Sequence, residues 1–195
     1  MIGRAMTIGA LVLGVGVSTA AAQPSVPPGL EVPAGNEVYL QGYAAGTQNY
    51  ICLSGPAGKR WQFLGPQATL FFTLQGTPPQ QITTHFLSAN PVEAGTARPT
   101  WQHSFDSSRV WGRALASSTD PNYVQPGAIP WLLVQATGTA LGPTGGSALA
   151  ETTFIHRVNT SGGVAPSTGC TAPSHEGVVA LVPYTTDYVF YRASR

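Results

Sequence analysis

The chain has 195 residues; 43% are hydrophobic, only 9% are charged, and the formal net charge is +1. Soluble domains usually carry about 25% charged residues, so this chain has no field to gather polyphosphates or anionic lipid, and nucleic acid is not an expected partner. Lys59 is its only lysine, while alanine, glycine and proline are abundant.

The run "MIGRAMTIGALVLGVGVSTAAAQ" sets Arg4 before an apolar stretch and ends on Ala20, Ala21 and Ala22, the pattern of an export signal over residues 1–22. The stretch is shorter than the ~20 residues that span a bilayer, so we expect cleavage near Gln23 and an exported protein, secreted or periplasmic, with no membrane span. No cysteine marks a lipid anchor at that point. Residues 23–35, "QPSVPPGLEVPAG", read as a proline-rich extended lead-in, and residues 36–195 as one β-rich domain.

Within that domain, short runs rich in valine, isoleucine, threonine and aromatics recur between turn signals: "EVYLQGYAA", "NYICLSG", "RWQFLG", "ATLFFTLQG", "QQITTHFLS", "TWQHSF", "RVWGRALAS", "IPWLLVQATGTA", "TTFIHRVNT", "GVVALVPY" and "DYVFYRA". No stretch keeps helical spacing between a cap and a stop. The expected fold class is all-β, a single-domain β-sandwich or closed β-barrel of short, mainly antiparallel strands, the sandwich being preferred.

Alternation along these runs assigns faces. "AIPWLLVQA" has none and reads as a strand buried on both sides, with Trp131 in the core. In "TWQHSF", Trp101, His103 and Phe105 share the face expected to look inward. In "SRVWGRA", Arg109, Trp111 and Arg113 lie together, which makes Trp111 the tryptophan expected to meet solvent. In "TTFIHRVNT", Phe154, His156 and Val158 oppose Ile155, Arg157 and Asn159. The two apolar neighbours favour the Phe154 side as the inner one, making His156 a core histidine with a backbone or hydroxyl partner.

The chain has two cysteines, Cys52 and Cys170. Export and an even count predict a disulfide between them; a metal site is the weaker alternative, because neither CxxC nor HxxxH spacing accompanies them.

"GTQNYIC", "RWQFLGPQATL", "PTWQHSFDSSRVWG", "IPWLLV", "RVNTSGGVAP" before Cys170, and "VPYTTDYVFY" together resemble a family of secreted bacterial and fungal proteins catalogued only as a domain of unknown function. The pieces run in order through nearly the whole mature chain. The resemblance implies export, a β-rich fold and the disulfide, and no established activity. This chain departs from the family pattern in a longer "HFLSANPVEAGTARPTW", in "DSS" where "DGS" is common, and at His156. Some fungal relatives carry a malate dehydrogenase label, which this sequence does not support: "ATGTALGPTGG" lacks GxGxxG spacing, so no dinucleotide cradle is expected, and no cofactor is implied.

Candidate chemistry rests on single residues. Arg157 is expected to pair with Asp187, a carboxylate that interrupts an aromatic strand, either as a structural ion pair or as a clamp for an anionic ligand. Trp111, and Tyr43, Tyr50, Tyr184, Tyr188 and Tyr191 with it, could stack against sugars or other flat ligands. The four histidines, His85, His103, His156 and His175, are scattered, with neither GxSxG nor HExxH; His85, His103 and Asp106 are the candidates for a metal or acid–base site. The functional expectation is an extracytoplasmic or cell-surface binding or structural module for a small molecule, glycan or surface component. The alternative is a secreted hydrolase built from those His and Asp residues.

Overall fold

The computed structural model describes residues 23–195, so the export signal expected over 1–22 lies outside the described residues. The strands follow in chain order as β1 (Asn36–Gly55), β2 (Gly58–Phe72), β3 (Gln80–Asn90), β4 (Thr96–His103), β5 (Arg109–Ser118), β6 (Trp131–Ala140), β7 (Thr152–Gly162) and β8 (Val179–Ala193). Each pairs with the next, and β8 returns to β1. All pairings are antiparallel. Of the two all-β architectures expected, the structure is therefore the closed barrel and not the sandwich. Closure leaves the sheet without free edges.

The strands are longer than the runs read from sequence. "EVYLQGYAA" and "NYICLSG" form the single 20-residue β1, and "RWQFLG" and "ATLFFTLQG" the 15-residue β2. The residues between them do not form turns: Gly46 pairs regularly with Ala68 and Tyr184, and the β1–β2 register shifts only at Asn49/Tyr50, opposite Gly65 with φ +148°. A bulge re-aims side chains without ending the strand. At Gly65 a Cβ would stand 2.8 Å from the Leu87 side chain, so the glycine also makes room for a neighbouring strand.

Two apolar layers stabilise the barrel. Inside lie Leu70, Trp101, Val110, Val134, Ile155 and Phe190. A second cluster, with Trp131, Leu133, Val158, Val189 and Tyr191, sits on the outer side of β6, β7 and β8. Its cover is the proline-rich segment expected as a lead-in: Leu30 is 1% exposed, with Val26 and Val32 beside it, and Val124 and Tyr123 close it from the β5–β6 connection. Trp131 and "AIPWLLVQA" are thus buried on both faces, as alternation failed to distinguish them.

This outer cover corrects the face chosen for β7. Ile155 and Arg157 look into the barrel, and Phe154, His156 and Val158 look outward beneath the cover. Both sides of the strand are buried, so apolar neighbours could not identify the lumen. His156 is nonetheless a core histidine: Nε2 donates to Leu30 O at 2.6 Å and Tyr191 Oη donates to Nδ1 at 2.9 Å. Its pKa is pushed down by burial against the opposing effect of the Leu30 bond.

Trp111 shares the outer face of β5 as expected, but it is 2% exposed, not solvent-facing. Nε1 donates to Ser88 Oγ at 2.9 Å. The paired Gly138 lacks the Cβ that would strike Asn90, and the β3–β4 turn at Pro91–Glu93 lies over this face. Phe105, expected inward, is 74% exposed, because β4 ends at His103 and Phe105 belongs to the following turn.

The two ends of the barrel differ. At the end where β1 begins and β8 finishes, Leu149 inserts into the core from the β6–β7 connection. Asp106 fastens that connection to the β4–β5 turn: it accepts from Ala148 N, Ser108 N, Ser108 Oγ and His103 Nδ1 at 2.7–3.0 Å. Leu149 N donates to Ser108 Oγ at 3.0 Å. At the opposite end, the long β7–β8 connection is tied to β1 by the disulfide Cys52–Cys170, with Cα atoms 5.5 Å apart. Around it, Cys52 N donates to Val178 O, Gly177 N to Cys52 O, Tyr50 Oη to Gly163 O and Trp61 Nε1 to Thr168 O, and Lys59 pairs with Glu176.

Candidate functional site

A cavity of about 120 Å³ opens at the disulfide end, and every strand contributes to its wall. Gln48 comes from β1, Phe63 and Pro66 from β2, His85 from β3, Pro99 and Trp101 from β4, Ala114 from β5, Leu132 and Val134 from β6, Arg157 from β7, and Tyr188 from β8. The convergence follows from register: in a barrel, alternate residues of all strands share the interior, and His85 stands opposite Trp101 as Arg157 stands opposite Tyr188.

The deep wall is an aromatic cluster. His85 stacks on Trp101 with centroids 4.2 Å apart and planes 14° apart, and Tyr188 meets both rings edge-on at 5.1 and 5.4 Å. His85 Nδ1 donates to Thr100 O at 3.0 Å, which leaves Nε2 an acceptor. Burial lowers the His85 pKa to about 3, outweighing the Thr100 bond, so the ring is neutral near pH 7. Tyr188 is raised above the usual phenol range by burial. Phe63, 53% exposed, forms the rim and packs edge-on against Tyr50.

Arg157 is the only cationic side chain of the wall. Its Nε and Nη2 donate to Pro130 O at 3.2 and 2.8 Å, and among the described residues it has no acidic partner within salt-bridge distance. The expected pair with Asp187 is therefore not formed. Asp187 stands opposite Val158, one step out of phase with Arg157, and accepts from Asn159 Nδ2 at 2.8 Å on the outside. Two further polar groups of the wall are buried without a partner, Gln48 Nε2 and Trp101 Nε1.

Of the residues singled out from sequence, the cavity collects His85, Arg157 and Tyr188. Asp187 and Trp111 face outward, and His103 and Asp106 pair with each other at the sealed end. His85, His103 and Asp106 do not converge, and among the described residues no three His, Cys, Asp or Glu side chains gather to hold a metal. Tyr184, Tyr188 and Tyr191 are buried and Tyr43 is exposed. Gln48 and Trp101 went unrecognised as site residues; Trp101 read as core, and nothing local in "GTQNYIC" marks Gln48 as inward.

The fold and cavity define an up-and-down antiparallel β-barrel with one sealed end and one end hollowed into an aromatic, donor-bearing pocket. The chain belongs to the family described as Protein of unknown function (DUF3455), whose profile matches residues 33–192. No curated protein and no solved structure matches the chain. Among the described residues no helix is long and apolar enough to cross a membrane.

Proposed function

We propose that the protein is an exported binding protein that holds a small ligand in the open end of its barrel. The observation that carries this reading is one cavity lined from all eight strands, with apolar walls and a few convergent polar groups, the usual constitution of a small-molecule site. Eight-stranded barrels enclose a space that side chains can just fill or that one small ligand can occupy. Here the sealed half is filled and the other half is not. Architecture alone would not carry a function; a cationic Arg157 in the wall of an otherwise apolar hollow adds the chemistry that architecture lacks.

Export is supported by the disulfide, a bond that persists in oxidising compartments. A barrel that crosses a membrane carries a polar lumen and an apolar outer band; this one has an apolar core inside. The cavity is too small to enclose a glycan chain, which favours a small molecule over the glycan or surface component also considered from sequence.

Native mass spectrometry of the protein purified from its own secretion medium tests the reading. A small molecule released on denaturation, and absent when Ala114→Trp plugs the mouth, is expected. A bare wild-type mass, together with equal thermal shifts of wild type and Ala114→Trp across a small-molecule library, would overturn it.

A further inference from the structure

We propose that the ligand is a small planar carboxylic acid, bound as its carboxylate by Arg157 with its ring against the aromatic wall; this rests on the reading of the open barrel end as a ligand site. The charge argument begins with Arg157. Its guanidinium lines an apolar cavity with no counter-ion among the described residues, an arrangement that costs desolvation unless an anion completes it. The two bonds to Pro130 O, through Nε and Nη2, hold the guanidinium plane beside the Tyr188 hydroxyl. A fixed planar fork matches a carboxylate better than a spherical anion.

The neutral groups do not oppose an anion. Gln48 Nε2 and Trp101 Nε1 are donors buried behind the wall, the former beside the Tyr184 hydroxyl, and His85 is uncharged near pH 7. A phosphate dianion would need a second cation, and the wall supplies only Arg157; a monoanion balances it. Size and shape give the rest. A cavity of about 120 Å³ is close to the ~150 Å³ that admits benzene, so it accommodates one ring, and Trp101, Tyr188 and Phe63 provide flat surfaces for it.

Benzoate, benzamide and benzyl alcohol are the probes, titrated into the mature protein by calorimetry and tryptophan fluorescence. Benzoate is expected to bind at least tenfold more tightly than either neutral analogue, and to lose that preference in Arg157→Gln, which keeps a donor for Pro130 O. If the variant does not fold, the comparison of benzoate with both benzamide and benzyl alcohol in the wild type still decides, because the carboxylate alone carries charge while the ring is constant and the two neutral groups differ in their donors and acceptors. Equal binding of the three probes overturns the carboxylate and leaves the ligand site standing. Binding of none of them also overturns it, and the ligand site falls as well only if the native mass spectrum is bare.

Discussion

Replacing both half-cystines, Cys52→Ala with Cys170→Ala, opens a covalent loop whose ends are 118 residues apart in sequence. On the chain-entropy account, closing a loop of that length destabilises the unfolded chain by about 5 kcal/mol at 25 °C. The native side of the balance changes little, because the β7–β8 connection keeps its other ties: Gly177 to Cys52 O, Trp61 to Thr168 O, and Glu176 to Ser54 and Lys59. For a domain of this size, 1 kcal/mol moves Tm by about 2–4 °C, so the melting temperature should fall by about 10–20 °C. Circular dichroism melts of wild type and double variant at pH 7, with reduced wild type as an independent route to the open loop, measure it. The urea m-value should also rise, since the uncrosslinked chain exposes more surface. A fall of less than about 3 °C would refute the argument, as would loss of the near-UV spectrum at 25 °C, which would mean that the bridge alone holds the loop.

Three further outcomes follow from burial and hydrogen bonding. Folded His85 gives up its proton near pH 3 and the unfolded chain near 6.5, so the unfolded chain binds more protons below pH 6.5; stability is full above that value and falls towards pH 3 by at most about 5 kcal/mol. His85→Phe should flatten this fall in urea midpoints taken from pH 7 to pH 3, and equal slopes in the two proteins would count against it. Asp106 is raised by burial but lowered further by its Ala148 and Ser108 donors, to about 2, so its contribution is present above the ordinary carboxylate range and is lost as pH falls through about 2. Asp106→Ala should cost about 2–4 kcal/mol at pH 7 by leaving those donors unpaired; a thermal melt within 1 °C of wild type would contradict the sealing role. Leu30→Ala removes the buried anchor of the 23–35 segment and should cost about 2–4 kcal/mol. Limited proteolysis should then cut that segment first, and unchanged protection would show that the cover does not depend on Leu30.

The β character of the chain was legible because turn residues and β-branched runs are local signals. Closure was not, since it depends on β1 meeting β8 across the length of the domain, and no local residue pattern records that pairing. Strand lengths were underestimated where Gly65 and Pro66 read as a turn but sit within β2. The site was half legible for the same reason. His85 and Arg157 stood out as polar residues in apolar strands, whereas Gln48 and Trp101 acquire meaning only when register brings one residue from each strand to a common depth. Asp187 was misassigned because Arg157 and Asp187 lie on opposite faces: Arg157 pairs with Tyr188 and Asp187 with Val158. At β7 the alternation holds from Phe154 to Val158 but its direction was misread, because the 23–35 segment buries the outer side as thoroughly as the lumen buries the inner. Beyond it a register shift at Asn159, with φ +53°, turns that residue outward and away from the Arg157 face.

Asn36 pairs with Ala193, and Ser194 N donates to Gly35 O at 2.9 Å, at the end sealed by Leu149 and Asp106. The C-terminal end of β8 therefore leaves from the pole opposite the cavity, whereas the 23–35 segment runs from Gly35 back along the outer side of β6, β7 and β8. A dye, an affinity handle or a surface linker joined after β8 would orient the molecule with its opening directed away from the support.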